Sequence, residues 1–391
     1  MTALHREDPI VDVDAHVTEP GDLWTDRLPS RWHDRAPRTV RGDDGKDRWV
    51  VGGGEVMLTV GHTATAGWPA PFPSAPPTFA DVPAAARDAG ARLALLDELG
   101  IVAQVLYPNV GGFGNQAFLA LDDADLRLAC VRAYNDWITD WCAAAPDRLL
   151  PVTAVPFWDV AATVAEVERC AGRGHRAILF SGEPQRFGLP LLGDRHWDPL
   201  WRISAETGNP ISFHLGGGDF TGPFTPERIA VHGVGPTYVK ATVQLFLDNG
   251  AQVLDLLCSG VLPRHPETRF VSVESGVGFL PFVLEAADYA FGEAAVRRER
   301  PEFDLLPSEY FRRQVFGCWF FEETALQRLV DRIGPGNLLF ETDYPHPICL
   351  HGNVREKVDA ALGGVDPELR HRLLFANAAE LYRVDRALVS S

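Results

Sequence analysis

Close to the N-terminus, Asp14 and His16 stand two residues apart at the end of the apolar, β-branched run Ile10 to His16, just before the break Thr18-Glu19-Pro20. A carboxylate and an imidazole at this spacing, on the C-terminal end of a strand, can be aimed at one metal ion. Side chains alternate along a strand, so Asp12, Asp14 and His16 are expected on one face and Val11, Val13 and Ala15 on the other. Three more apolar runs end in residues of the same kind: Ile211-Ser212-Phe213 in His214, Val271-Ser272-Val273 in Glu274, and Leu338-Leu339-Phe340 in Glu341-Thr342-Asp343. Taken singly, each has a plainer reading: a solvated strand end for Asp14 and His16, a hydrogen-bonded core histidine for His214, a surface carboxylate for Glu274, a helix N-cap for Asp343. Taken together, Asp14, His16, His214, Glu274 and Asp343 read as a metal-ligand set. Three carboxylates brought together in a dry cleft cannot all stay ionised unless a divalent cation stabilises them.

These runs belong to a repeating pattern. Strands are expected over 10–16, 101–107, 149–155, 177–181, 210–214, 270–275, 315–320 and 338–343, and helices over 84–99, 123–145, 160–171, 198–207, 236–259, 279–290 and 324–333. Eight strands alternating with helices predict an α/β fold, a (β/α)8 TIM barrel. An open doubly wound sheet is disfavoured because no glycine-rich dinucleotide turn follows the first strand. In such a barrel the active site lies where the C-terminal strand ends converge, which sets the five residues at matching heights. Gly216-Gly217-Gly218 lacks a following Lys-Ser/Thr pair and is not read as a phosphate loop. The chain reads as one domain, 1–391, with an insertion over 21–90. That insertion carries a β-hairpin at 48–60 turning at Gly52-Gly53-Gly54 and a proline-dense stretch at 69–83, and is expected to be a lid or a dimer contact. Residues 353–384 are expected to be helical and to pack on the outside.

Composition narrows the function classes. The chain has 391 residues, 46% of them hydrophobic, and a net charge of -17, which fits a large-cored protein acting on small molecules and disfavours nucleic acid as a partner. No apolar stretch reaches the roughly 20 residues that span a bilayer, and the polar first residues do not read as a signal peptide, so a cytoplasmic location without membrane attachment is expected. The six cysteines are far apart and form no C-x-x-C pair, so most of them read as buried, reduced thiols.

The opening D-x-H strand with Thr-Glu-Pro, Phe213-His214 before the glycine triplet, Glu274-Ser275-Gly276-Val277-Gly278-Phe279-Leu280-Pro281-Phe282, and Glu341-Thr342-Asp343-Tyr344-Pro345-His346 together resemble the amidohydrolase superfamily. The resemblance is to the branch of aminocarboxymuconate-semialdehyde decarboxylase and the resorcylate-type decarboxylases, and covers nearly the whole chain apart from the insertion. It implies one divalent ion, usually zinc or manganese, on Asp14, His16, His214 and Asp343, and a homodimer. Two departures stand out: Asp14 where many relatives carry histidine or glutamate, and Glu274 where many carry an acid–base histidine. Glu274 can still move a proton if burial and the metal tune it, or it can become a fifth ligand.

The expected activity is therefore hydrolysis or decarboxylation of a small organic acid, with Glu274, Asp343 and His214 as catalytic residues. The alternative is a non-haem iron or di-iron oxygenase, because an oxygen-rich set with two histidines suits iron as well as zinc or manganese and can hold one ion or two. A barrel that binds without chemistry is disfavoured, because none of the four ligands is missing. His346 either supports the site from behind or faces solvent, and Glu19 reads as a turn residue. Trp24, Trp158, Phe180 and Trp319 are candidates for an apolar substrate wall, although aromatics commonly fill a barrel rim. Arg132, Arg148, Arg176 and Arg264 are candidates for a substrate-carboxylate clamp. Tyr134, Trp137, Ile138 and Trp141 read as core.

Overall fold

The computed structural model describes residues 8–113, 115–217 and 225–389, apart from the side chains of 55–57. Eight parallel strands pair in the order β1 (Ile10–His16), β5 (Ile101–Tyr107), β6 (Leu149–Ala154), β7 (Ala177–Leu179), β8 (Ile211–His214), β9 (Phe270–Val273), β10 (Val315–Trp319) and β11 (Leu338–Phe340). The ring closes through a parallel bridge from Ala15 to Tyr344. Two backbone bonds reinforce that seam, Asp343 N–H to Asp14 O at 2.9 Å and His16 N–H to Tyr344 O at 2.7 Å. This is the expected (β/α)8 barrel. Its strands are buried almost throughout, which is why they read as near-continuous apolar runs.

The intervening helices start and stop where local chemistry dictates. Asp88, Asp123 and Asp159 each accept a backbone N–H at the start of Ala89–Leu99, Ala124–Cys142 and Val160–Ala171, and Gly100 ends the first of these in the left-handed conformation. Tyr134, Trp137 and Ile138 are buried on Ala124–Cys142 and Trp141 packs beside them, as their spacing predicts.

Strand residues divide between two apolar clusters. Val11, Val13, Leu179, Val271, Val273 and Leu339 share one cluster, and Ile10, Ala15, Ile178, Ile211, Phe270 and Leu338 lie in the other, with the helices. The C-terminal part differs from expectation here. Val354–Leu362 does pack with the outer helices, but Phe375, Ala378 and Tyr382 join the interior cluster, filling the barrel with apolar surface.

Within the insertion, β2 (Arg38–Arg41), β3 (Asp47–Val51) and β4 (Glu55–Thr59) form an antiparallel sheet, the last two matching the expected hairpin. None of the described helices is long and apolar enough to cross a membrane.

Candidate metal and active site

The strand alternation that places the ligands is broken between Asp12 and Ala15. From Asp12 to Ala15, β1 advances three residues while β5 advances only from Gln104 to Leu106. This bulge puts Asp12 and Asp14 on opposite faces, which corrects the expectation that Asp12, Asp14 and His16 share one. Asp14 faces the barrel axis, whereas the Asp12 carboxylate turns outward to Gln104 and Thr342.

On the inner face the five expected residues do come together, all buried. His16 Nε2 and His214 Nε2 each lie 3.4 Å from Asp14 Oδ1. His16 Nε2 is 3.6 Å from Asp343 Oδ1, and His214 Nδ1 is 3.5 Å from Glu274 Oε2. Asp14, His16, His214 and Glu274 each offer a donor atom within 4.8 Å of one another, and so do His16, Glu274, Asp343 and His346.

Hydrogen bonding fixes the imidazoles. His16 Nδ1 faces the Pro108 carbonyl at 3.2 Å and His214 Nδ1 faces the Leu215 carbonyl at 2.9 Å. A carbonyl only accepts, so each Nδ1 carries a proton, and in the neutral ring that binds a metal each Nε2 presents a lone pair. Those two lone pairs point at each other across 3.3 Å, with the Asp14 oxygen beside them. Both oxygens of Asp14, Oε2 of Glu274 and Oδ2 of Asp343 are buried without a hydrogen-bond donor. Lone pairs and anionic oxygens converging on one dry space suit a divalent cation and little else.

The electrostatics agree. Burial lifts both Glu274 and Asp343 well above the ordinary carboxylate range, with repulsion from Asp343 adding to the first and from Asp14 to the second. Burial also works against an ionised Asp14, yet the flanking His214 and His16 hold it below its usual value. Burial lowers His16 to about 3.

Glu274 and Asp343 share a further feature, backbone φ values of 59° and 57° in the left-handed region that side chains with a Cβ rarely adopt. The Glu274 N–H is held by Glu341 Oε2 at 3.0 Å. Asn249 braces the same turn, its Nδ2 bonding Ser275 Oγ at 2.7 Å and the Val273 carbonyl at 3.2 Å.

Of the two readings open for His346 the structure selects one, and other participants escaped sequence reasoning. His346 is buried, stacks on His16 with ring centroids 3.9 Å apart, and sets Nδ1 2.6 Å from Asp343 Oδ1, so it supports the site from behind. Its Nε2 bonds Asn109 Oδ1 at 2.8 Å. Glu19 is no simple turn residue: buried, it accepts the N–H groups of Asn109 and Val110 at 2.9 and 3.1 Å. Asn109 sits two residues past β5, a strand-end position that could have flagged it.

Above the cluster opens a cavity of about 460 Å³, with Glu274 and His346 at the ligand end. Phe113, which stacks on His214 at 4.4 Å, lines it together with Leu58 and Phe72 from the insertion and Tyr238 from Val234–Cys258. Gln116 adds a polar group. Trp24, Trp158, Phe180 and Trp319 are absent from this lining, and so are the four candidate arginines. Three of those arginines are ion-paired elsewhere, Arg132 with Glu166, Arg148 with Asp97 and Arg264 with Asp198. Gly218, third in the glycine triplet, lies outside the described residues.

Known proteins share this arrangement of chain. The family model described as amidohydrolase matches residues 11–384. Gamma-resorcylate decarboxylase of Rhodococcus jostii (strain RHA1) is 26% identical over 309 residues, which cover 75% of this chain and 87% of that protein. Among solved structures, an amidohydrolase from Mycobacterium avium subsp. paratuberculosis K-10 superposes with a TM-score of 0.72 at 24% identity, covering 95% of this chain and 98% of the other. A 5-carboxyvanillate decarboxylase from Novosphingobium aromaticivorans DSM 12444, solved with bound manganese, superposes with a TM-score of 0.67 at 19% identity, covering 96% and 97%. As its four strand-end motifs implied, the chain belongs to the amidohydrolase family.

Proposed function

We propose that this chain is a metal-dependent decarboxylase of a small aromatic carboxylic acid, with Asp14, His16, His214 and Asp343 holding one divalent ion and Glu274 delivering the proton. The observation that carries the reading is the convergence of the His16 and His214 lone pairs with the Asp14 carboxylate, directly below an apolar, aromatic-lined cavity into which Glu274 opens. The relatives named for decarboxylation of resorcylate and carboxyvanillate, one of them holding manganese, support both the reaction class and the metal.

When bound, the ion would supply a positive anchor that holds the substrate's carboxylate and hydroxyl oxygens. The chain's own residues do the rest. Phe113, Phe72 and Leu58 offer a ring-sized apolar surface and exclude water. Burial and the neighbouring Asp343 push the Glu274 carboxyl well above its ordinary range, toward the protonated form that can donate to the ring carbon bearing the carboxylate. As that C–H bond forms, the C–C bond to the carboxylate breaks and releases carbon dioxide; its electron pair restores the ring. Glu274 then recovers a proton from solvent.

The test is carbon dioxide release from a panel of hydroxybenzoic acids by manganese-loaded protein under air and under anaerobiosis. Decarboxylation independent of oxygen is expected, and Glu274→Gln should lose about 10²-fold or more in kcat while keeping its metal. An oxygen requirement with a hydroxylated product, or full activity in Glu274→Gln, would refute the reading.

A further inference from the structure

On the outer side of the barrel wall, behind the ligand cluster, runs a chain of buried polar side chains. Arg92, fully buried on Ala89–Leu99, donates to the His16 carbonyl at 2.7 Å, to Gln104 Oε1 at 2.7 Å and to the Ala85 carbonyl at 2.6 Å. Gln104 Nε2 donates to Asp12 Oδ2 at 2.7 Å. Asp12, also fully buried, accepts the Thr342 N–H on Oδ1 at 2.8 Å and the Thr342 hydroxyl on Oδ2 at 2.6 Å. The chain thus begins on the backbone of one proposed ligand, His16, and ends on the residue before another, Asp343, whose φ is left-handed.

Its polarity is fixed in one direction. A guanidinium only donates, so Gln104 turns its oxygen to Arg92 and its N–H₂ to Asp12, which accepts there, at the two Thr342 contacts and, on Oδ1, from the Asp14 N–H at 3.3 Å. A strained turn persists only where its surroundings over-determine it, and here the carboxylate at 12 supplies two of the bonds that do so.

We infer that Asp12 is a positioning residue: through Thr342 on one side and Gln104 and Arg92 on the other, it holds the backbones of Asp343 and His16 in the arrangement that accepts a divalent cation. The inference rests on the ligand set proposed above. Outer supports of metal ligands are commonly worth about 10–100-fold in affinity.

The polarity gives a rescue test. Asp12→Asn keeps the shape of the side chain but sets an N–H₂ against that of Gln104; flipping the Gln104 amide only passes the conflict to Arg92. Adding Gln104→Glu moves the carboxylate one link along, where it can accept from both Arg92 and the new amide. Metal-free protein titrated with Mn²⁺ by calorimetry should show Asp12→Asn binding about 10–100-fold more weakly. The double variant should recover most of the loss, and Thr342→Val, which removes the hydroxyl link to Asp12 and the acceptor of the Tyr344 N–H but leaves the other Asp12 contacts, should lose less. Circular dichroism and thermal melts check folding; if Asp12→Asn does not fold, Thr342→Val carries the test. Parental Mn²⁺ affinity in the variant so tested, even with lowered thermal stability, overturns the inference, as does a weakened Asp12→Asn that Gln104→Glu does not restore. Failure of the unmodified chain to bind Mn²⁺ at all is a different result, and removes the ligand set itself.

Discussion

Asp14, Glu274 and Asp343 are three buried carboxylates, and two imidazole Nε2 atoms face into the same space. Without a cation such a group is driven to take up protons, the direction in which burial and mutual repulsion push Glu274 and Asp343. Removing a single donor should therefore cost the ion. His214→Ala and Asp343→Ala are each expected to lose bound metal when purified without chelator, and turnover with it; stoichiometric metal by atomic emission in either variant would rule out its role as a ligand. At this scale the donor types were legible, since few residues other than His and Asp or Glu bind hard and borderline ions. Asp12 was not, because a bulge decides which way it points and a bulge depends on the neighbouring strand. Glu19, Asn109 and Glu341 were hidden for a related reason: they act by hydrogen-bonding backbone or side chains far along the chain, as Glu341 does at Glu274, and such partners leave no local spacing to read.

The elements that shape the cavity come from separated parts of the sequence. Phe72, in the proline-dense part of the insertion, stacks on Tyr238 of Val234–Cys258, with ring centroids 4.1 Å apart and planes 22° apart, and both rings line the cavity. The insertion thereby contributes a wall to the site, which gives its long proline-rich stretch a reason to be ordered. An aromatic pair of this kind is worth about 0.5–1.5 kcal/mol beyond its buried area. Phe72→Ala is expected to raise KM about tenfold while metal content and melting temperature stay near parental values; an unchanged KM would show that this wall does not touch substrate. The hairpin and the barrel strands were legible from glycine-centred turns and buried β-branched runs. The partner of Phe72 was not, because aromatic residues in an irregular segment carry no periodicity.

Over the whole molecule, stability depends on buried groups away from the site as well. His175 is buried, with Nε2 2.9 Å from Thr139 Oγ1 and Nδ1 3.1 Å from Thr153 Oγ1, and burial, with a smaller push from Arg173, lowers its pKa from 6.5 to about 3. The folded chain therefore keeps this ring neutral over a range in which the unfolded chain protonates it. Its contribution is fully present above about pH 6.5 and falls as pH drops toward 3, with a slope of about 1.4 kcal/mol per pH unit. Denaturant unfolding of His175→Gln between pH 4 and 6.5 should show a slope shallower by about that amount; identical slopes would refute the assignment.

By itself, the sequence determined the eight-stranded barrel and the identity of the five residues at its rim, because burial on both faces demands apolar strands and metal chemistry demands particular side chains. Tertiary structure alone decided that Asp14 faces the donor cluster while Asp12 faces away, that His346 and Asn109 back that cluster, and that residues near 60–72 wall the cavity. Each of those depends on which distant backbone or ring lies within a few ångströms, and only closure of the barrel brings β1 against the turn that carries Asp343.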